Sequence, residues 1–420
     1  MYEFQIKGGT CLQGSIDIKG AKNAVLPLMI CTLLTSEPIV LHNISMLSDV
    51  HVLIEVLKRL GSVITVEGDK MTLQTKTITS TEAPYELLSK MRAAFWVLGP
   101  LLAREQKAYV SLPGGCTLGR KLDIYFDSLQ TMGAKVEIEH GYVAASGQLH
   151  GAELFPRRIT VGGTMTMLMA AVLTLGVTVI HNAAMEPEVS DVIDLLLKMG
   201  AKIEGRGTHV LRIEGVESLH GAEHIPVPDR IETGTFICGT AMTHGTVMLR
   251  GARLDLMEQF VHVLRQNEVV LEQRPEGIWV DAKNASLRGQ DITMTEYPGV
   301  ATDDQPCLVA LSSIAQGDCL ITDTVYDNRF MHVPELIRMG AKIDTINSQS
   351  VRIHGVDKLS GAIVTASDLR GGAALVLAGL VADGETCVQR VYHIDRGYHQ
   401  LEEKLNALGA RVERIWKDYP

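Results

Sequence analysis

The stretch Leu112-Pro113-Gly114-Gly115-Cys116-Thr117-Leu118-Gly119-Arg120 sets a cysteine shortly before an arginine, among too many glycines for helix or strand. A structural cysteine usually sits inside an apolar element and acts as a small hydrophobe. A thiol on a turn beside a cation is instead placed to ionise and react. The glycines allow successive backbone N–H groups to turn toward one point, forming a concavity suited to an anion. The same residues also describe a plain surface loop with an idle thiol, and both readings stand at this point.

The elements that must position such a loop are suggested by bulk properties and by a repeat. The 420 residues allow two or three domains, and a hydrophobic fraction of 46% is ample for large cores. Aromatics are scarce at 5%, so aliphatic residues and Met supply the apolar volume. The net charge is −10 and no Lys/Arg run appears, which argues against a broad nucleic-acid face. An acidic chain still binds anionic substrates if its cations converge. Cysteines at 11, 31, 116, 238, 307, 319 and 387 form no C-x-x-C pair, so neither a disulfide framework nor a zinc knuckle is indicated. Apart from Cys116, they lie in apolar or strand-like contexts. The opening Met-Tyr-Glu-Phe-Gln-Ile reads as a strand and not as a secretory signal. The longest apolar run, Met165 to Ile180, is shorter than a membrane span and contains Gly176, so it reads as a buried helix followed by a strand. A reducing cytoplasm is the expected setting, and no membrane or nucleic-acid partner is expected. The sequons at Asn43 and Asn284 read as chance.

One phrase recurs: an amphipathic helix ends in Leu or Met, then Gly, then usually Ala, then a strand. It occurs at Gly61, Gly133, Gly200, Gly340 and Gly409. The spacing is about 70 residues, with one gap of about twice that between Gly200 and Gly340. The missing member falls at Gln266-Asn267-Glu268, after the helical stretch Leu254–Leu264, with Asn267 the expected substitute for glycine. Six units of about 70 residues follow. Each reads helix, Gly cap, strand, polar turn, strand, as in Ala134–Glu139 and Tyr142–Ser146 or Ala341–Ile346 and Ser350–His354. A second phrase, Gly-Val-x-x-Leu-x-Gly-Ala, begins at Gly215 and again at Gly355, marking equivalent positions in two units. Such units are too long for solenoid repeats and imply compact α/β subdomains, three to a domain. The two prolines of Pro226-Val227-Pro228-Asp229 mark the boundary.

Seven motifs then occur in order: Lys19-Gly20-Ala21-Lys22-Asn23 with its run to Pro27, Met91-Arg92-Ala93, Pro113 to Cys116, Pro228 to Thr235, Asn328 to Glu335, Ser367 to Arg370, and His393 to Tyr398. Together they resemble, over essentially the whole chain, the UDP-N-acetylglucosamine 1-carboxyvinyltransferase family of enolpyruvyl transferases, which shares its architecture with EPSP synthase. The resemblance implies an inside-out α/β barrel of two similar domains with three repeated units each. It places residues 21–228 in the first domain, and 1–20 with 229–420 in the second. It also implies ligands in a cleft between the domains, with helix N-termini drawing in anions.

The reaction that the resemblance implies moves the enolpyruvyl group of phosphoenolpyruvate to the 3-hydroxyl of UDP-N-acetylglucosamine. Phosphate leaves by addition and elimination, in the first committed step of peptidoglycan precursor synthesis. Lys22, Arg120 and Arg396 match positions that hold phosphate, with Arg92 a further cation of the set; Arg329 and Arg370 lie toward the carboxylate. Arginine's planar fork suits both anions. Asp303 matches the base at the sugar hydroxyl. Its neighbour Asp304 is the obvious confounder, and in an extended segment the two side chains would point oppositely. Asp368 matches a second acidic position that orients an arginine or relays protons, and it also reads as the N-cap of a helix beginning near Leu369. Cys116 matches the cleft cysteine, the acid for the methylene carbon and the site that fosfomycin alkylates. Lys121-Leu122-Asp123-Ile124 and Arg158 to Thr164, including Thr160, Val161 and Gly162, match nucleotide-binding segments. There the glycines would admit the diphosphate, and Thr160 and Thr164 would donate hydroxyls. Asn23 and Val325 match further substrate contacts. No cofactor or metal is implied, and neither a P-loop nor a G-x-G-x-x-G pattern is present.

The chain departs from the family pattern in a Cys116–Arg120 loop shorter by one residue, in Lys121 where proline is usual, in Met185 where arginine is expected, and in Asp304 and Pro306-Cys307 beside the base. These leave open a related acceptor, such as another nucleotide or shikimate 3-phosphate. RNA 3′-end cyclisation would need a nucleotidylated histidine and a basic RNA face, for which the sequence makes no clear case. A purely structural interaction protein would not need these cations, the aspartate and the cysteine on matching motifs.

Overall fold

The repeating helix is set by its apolar spacing. In Ser48–Leu60, Val50, Leu53, Ile54, Leu57 and Leu60 are buried along one stripe, Asp49 sits in the first turn, and Lys58 and Arg59 in the last. Charges so placed complement the helix dipole. The helix stops at Gly61, where φ is 111°. Gly133, Gly200, Gly340 and Gly409 follow the same kind of helix with φ of 100°, 97°, 94° and 90°. A side chain there would cost on the order of 1 kcal/mol. The protein is described by a computed structural model over residues 1–113 and 122–418, so Cys116, Arg120 and Lys121 lie outside the described residues.

The fourth repeat corrects the sequence expectation. Asn267 has φ of −89°, and the left-handed residue is Glu268 at 61°. Asn267 is buried and uses its amide twice, donating to the Val263 carbonyl at 3.2 Å and accepting the Arg288 N–H at 2.7 Å. Its role is to tie the helix end to the following chain, so the turn falls one residue later. The stretch Leu254–Leu264 is also two elements: a 3-10 turn Leu254–Leu256 and a helix Glu258–Gln266.

Five repeats lay a hairpin into a four-stranded sheet, and in the last the single strand Val412–Trp416 pairs instead with the N-terminal strand Tyr2–Lys7, so that six four-stranded sheets are present among the described residues. In one, Glu82–Ala83 runs parallel to Lys107–Ser111, which pairs antiparallel with Tyr142–Ser146, and that strand in turn pairs antiparallel with Lys135–Glu139. His140 and Gly141, at φ 51° and 82°, make the tight turn between the last two. Val143 and Ala145 alternate inward along Tyr142–Ser146, leaving the other face outward. Gly215 and Gly355 are structural equivalents: a Cβ would fall 1.6 Å from the carbonyl oxygen of Thr174 in one case and of Ala315 in the other. The apolar run Met165 to Ile180 divides into the helix Val161–Ala171 and the strand Val177–Ile180.

The chain forms two compact units, Gly20–Val227 and Met1–Lys19 with Pro228–Pro420. The second unit borrows both its N-terminal strands. Tyr2–Lys7 sits between Glu385–Gln389 and Val412–Trp416, and Gln13–Asp17 pairs parallel with Thr246–Arg250. Inside this unit the helices Arg230–Met242, Gln305–Ser312 and Leu369–Val381 pack on one another. Every residue of the first is buried. In the other unit, Leu98–Glu105 packs against Val161–Ala171 and against the 3-10 turn Cys31–Leu34 that continues the helix Lys22–Ile30. Helices buried on nearly all sides, such as Arg230–Met242, Gln305–Ser312, Leu369–Val381 and Val161–Ala171, lie within and sheets lie outside, which makes the fold an inside-out α/β barrel. No helix among the described residues is long and apolar enough to cross a membrane. Cys31, Cys238, Cys307 and Cys319 are buried, but Cys11 is exposed on the connection between two strands, against the expectation of an apolar or strand-like setting.

Candidate active site

Three buried helices of the second unit begin beside one another. Asp229 caps Arg230–Met242 by accepting the N–H groups of Ile231 and Glu232, each at 2.9 Å. Asp304 stands at the N-cap of Gln305–Ser312. Asp368 caps Leu369–Val381, accepting the N–H of Arg370 at 2.9 Å and of Gly371 at 3.1 Å. Asp304 lies over the first helix so closely that a Cβ on Gly234 would be 2.7 Å from its Oδ1.

Asp303 is the meeting point. Arg329 Nη2 donates to its Oδ1 at 2.9 Å, and Arg370 Nε donates to its Oδ2 at 3.2 Å. Its side chain is 24% exposed, whereas that of Arg370 is 1% exposed. Arg370 Nη2 also lies 3.1 Å from Asp303 Oδ2, while Arg370 Nη1 and the Nε of Arg329 are buried without a hydrogen-bond acceptor. The cations are therefore incompletely satisfied, which suits a second anion. Arg370 also lies over the Tyr398 ring, and Tyr398 shares a 2.8 Å hydrogen bond with Thr235. The 3-10 turn Val391–Arg396 brings Arg396 to this corner: the next residue, Gly397, is packed so that a Cβ would be 2.4 Å from Leu369 and 3.4 Å from Arg370 Nη1.

Burial sorts the titrating groups. It pushes the Asp304 carboxyl up to about 8; Arg230 opposes the rise and the charge on Asp303 adds to it. Burial also disfavours charge on Asp368, but Arg329, His332 and the two capping N–H groups outweigh it and hold this carboxyl below its ordinary range. His332, fully buried, is pushed down to about 4 by desolvation despite Asp368. Desolvation works against the charge on Arg370, but Tyr398, Asp303 and Asp229 outweigh it and keep the guanidinium protonated. Two adjacent aspartates thus differ: Asp303 is half-open and held by cations, and Asp304 is sealed and neutral below about pH 8. The cause is not an extended backbone, as the sequence suggested. Residues 302–304 form a turn running into the helix Gln305–Ser312.

In the unit Gly20–Val227, Lys22 opens the helix Lys22–Ile30 and its Nζ lies 2.9 Å from Asp49 Oδ2, both side chains being buried. Asn23 follows, half-buried. Arg92 opens the 3-10 turn Arg92–Val97. Asp123 opens the helix Asp123–Thr131, preceded by Leu122 and followed by buried Ile124. Its carboxylate takes Arg158 Nη2 at 2.6 Å, and that contact holds its pKa low. Thr160 is the N-cap of Val161–Ala171 and its hydroxyl accepts no first-turn N–H, so those N–H groups have no side-chain cap. Gly162 joins these segments: a Cβ would lie 2.0 Å from Tyr125 Oη and 2.7 Å from Trp96 Nε1. The absence of a side chain at Gly162 lets Tyr125 and Trp96 pack against it. Thr164, expected to offer its hydroxyl, is buried and accepts the Ala184 N–H at 3.0 Å.

The family model described as EPSP synthase (3-phosphoshikimate 1-carboxyvinyltransferase) matches residues 6–405. A protein of Xanthobacter autotrophicus named UDP-N-acetylglucosamine 1-carboxyvinyltransferase is 48% identical over 428 residues, covering 99% of this chain and all of its own. A namesake from Paramagnetospirillum magneticum is 50% identical over 427 residues, covering 99% of each. The chain belongs to this carboxyvinyltransferase family. A solved enolpyruvyl transferase from Streptomyces tendae has the same fold, with a TM-score of 0.88 over 98% of each chain at 23% identity.

Within this carboxyvinyltransferase fold the residues singled out from sequence form two groups. Asp303, Arg329, Arg370, Asp368 and Arg396 gather in one unit. Arg92, Leu122, Asp123, Ile124, Arg158, Thr160, Val161 and Gly162 are carried in the other by three segments that meet at Gly162, and Lys22 and Asn23 open a neighbouring helix of that unit. Val325 is part exposed on the loop after the strand Asp318–Asp323. Cys116, Arg120 and Lys121 fall outside the described residues. Sequence reasoning passed over His332 and Tyr398, although both lie inside motifs it had quoted. It also passed over Asp49, which reads in sequence as an ordinary helix-start charge.

Proposed function

We propose that this protein transfers the enolpyruvyl group of phosphoenolpyruvate to the 3-hydroxyl of UDP-N-acetylglucosamine with release of phosphate, at the entry to peptidoglycan precursor synthesis in the cytoplasm. The observation that carries the reading is the Asp303–Arg329–Arg370 cluster, with cation capacity left over, in a chain about half identical along its whole length to proteins of that name. The carboxylate of phosphoenolpyruvate is a natural competitor for the two guanidiniums. As it takes them, Asp303 loses hydrogen bonds that stabilise its charged form and becomes a better proton acceptor. The sugar hydroxyl then passes its proton to Asp303 as its oxygen bonds to C2 of phosphoenolpyruvate. Cys116 gives a proton to the methylene carbon, forming a tetrahedral ketal. In elimination that carbon returns a proton to the Cys116 thiolate, the C2–O bond to phosphate breaks as the double bond re-forms, and Lys22, Arg120 and Arg396 steady the departing dianion. Asp123 with Arg158, and the helix start at Thr160 and Val161, hold the nucleotide.

Phosphate release from phosphoenolpyruvate, measured with UDP-N-acetylglucosamine, UDP-glucose and shikimate 3-phosphate as acceptors, tests this. Turnover is expected with UDP-N-acetylglucosamine. Turnover with shikimate 3-phosphate and none with UDP-N-acetylglucosamine would overturn the reading.

A further inference from the structure

Asp323 ends the strand Asp318–Asp323 and is fully buried. One carboxylate oxygen accepts the N–H groups of Val325 and Tyr326, each at 3.0 Å, fixing the start of the loop that leads to Arg329. The other oxygen accepts the hydroxyl of Thr302 at 2.5 Å, and Thr302 directly precedes Asp303. A carboxylate that only closed a strand end would need the two N–H bonds alone. The third bond reaches across to the turn that carries the base. Arg329 then donates back to Asp303, so the contacts close a ring: Asp323, Thr302, Asp303, Arg329 and back along the loop to Asp323. Around it stand Arg329 and Asp303, the charged groups whose fields reach Asp323.

We propose that Asp323, acting through the Thr302 hydroxyl, is a positioning residue that sets Asp303 at the distance from Arg329 and the sugar hydroxyl required for proton removal. This rests on the reading of Asp303 as the base of enolpyruvyl transfer. The bond fixes geometry in the reacting complex more than it fixes binding. Its loss therefore falls on kcat, because a shift of about 1 Å in a reacting group can cost roughly a hundredfold.

The test compares Thr302→Val, which keeps the shape and loses the hydroxyl, with Thr302→Ser, which keeps the hydroxyl. Asp323→Ala removes the whole latch. Wild-type turnover with UDP-N-acetylglucosamine first establishes the parent reaction, so failure there is separate from failure of the latch. Thr302→Val should lower kcat about ten- to a hundredfold while KM for each substrate moves less than about threefold. Thr302→Ser should recover most of the loss, with thermal midpoints of the two variants within a few degrees of each other. Asp323→Ala should lose at least as much kcat as Thr302→Val. The proposal is overturned if Thr302→Val keeps wild-type kcat, if Ser and Val variants lose activity equally, or if the loss appears in KM alone.

Discussion

Replacing Asp304 with asparagine should stabilise the unit that contains it, by an amount that depends on pH. The carboxyl is fully buried, and its pKa is raised from an ordinary 3.8 to about 8. Between those values the folded chain keeps a proton that the unfolded chain gives up. Stability therefore falls as pH rises through the window, by about 1.4 kcal/mol per pH unit, and levels off above pH 8. Below pH 3.8 both states are protonated and nothing is lost. At pH 7 the accumulated cost is on the order of 4 kcal/mol, and at pH 5 on the order of 2 kcal/mol. Asparagine has the shape of the neutral acid and cannot ionise, so it should remove this cost. Urea unfolding of the wild type and Asp304→Asn at pH 5 and pH 7 measures the difference directly. The variant should be more stable at both, with the gap widening by roughly 3 kcal/mol and a thermal midpoint at pH 7 raised by about 10 °C. A gap of under about 1 kcal/mol at pH 7, or one that does not widen with pH, would refute the claim that Asp304 is held neutral by burial.

Glu268→Gly should stabilise the protein by about 0.5–1 kcal/mol, since the left-handed turn then costs no strain and the exposed Glu268–Arg288 pair contributes little. Asn267→Gly should destabilise it by losing two buried hydrogen bonds; the same sign for both in denaturant unfolding would contradict a left-handed turn centred on Glu268. Gly162→Ala should cost about 1–3 kcal/mol and raise KM for the sugar nucleotide several-fold, because the new methyl meets Tyr125 and Trp96 and must part the segments they belong to. An unchanged melting point and KM would show that those segments are not joined there.

The repeat was legible because a glycine cap is a local demand: it needs one residue type at one place, and five of six copies use it. The fourth, the one without a glycine, was misread by one residue because Asn267 looked like a substitute, and only its buried partners at Val263 and Arg288 show otherwise. The turn at 302–304 could have been found from Pro306, a residue favoured in the first turn of a helix. What no spacing could give are the pairings. Asp303 finds Arg329 and Arg370 at separations of 26 and 67 residues, and Lys22 finds Asp49, through packing of helix starts. Nor could spacing show that Tyr125 and Trp96 pack against the side of Gly162 where a side chain would stand.

The strand Tyr2–Lys7 gives this protein an order of events during synthesis. Its partners are Val388 and its neighbours on one side and Arg414 and its neighbours on the other. At ribosomal rates of roughly 5–20 residues per second, it emerges about 20–80 seconds before either edge exists to receive it. Gly20–Val227, a continuous stretch of chain, can meanwhile complete its own core. The other unit closes only when its earliest and latest residues meet. An early translational stop therefore leaves one folded unit and an unpaired, partly apolar strand, the kind of edge on which chains associate and chaperones act.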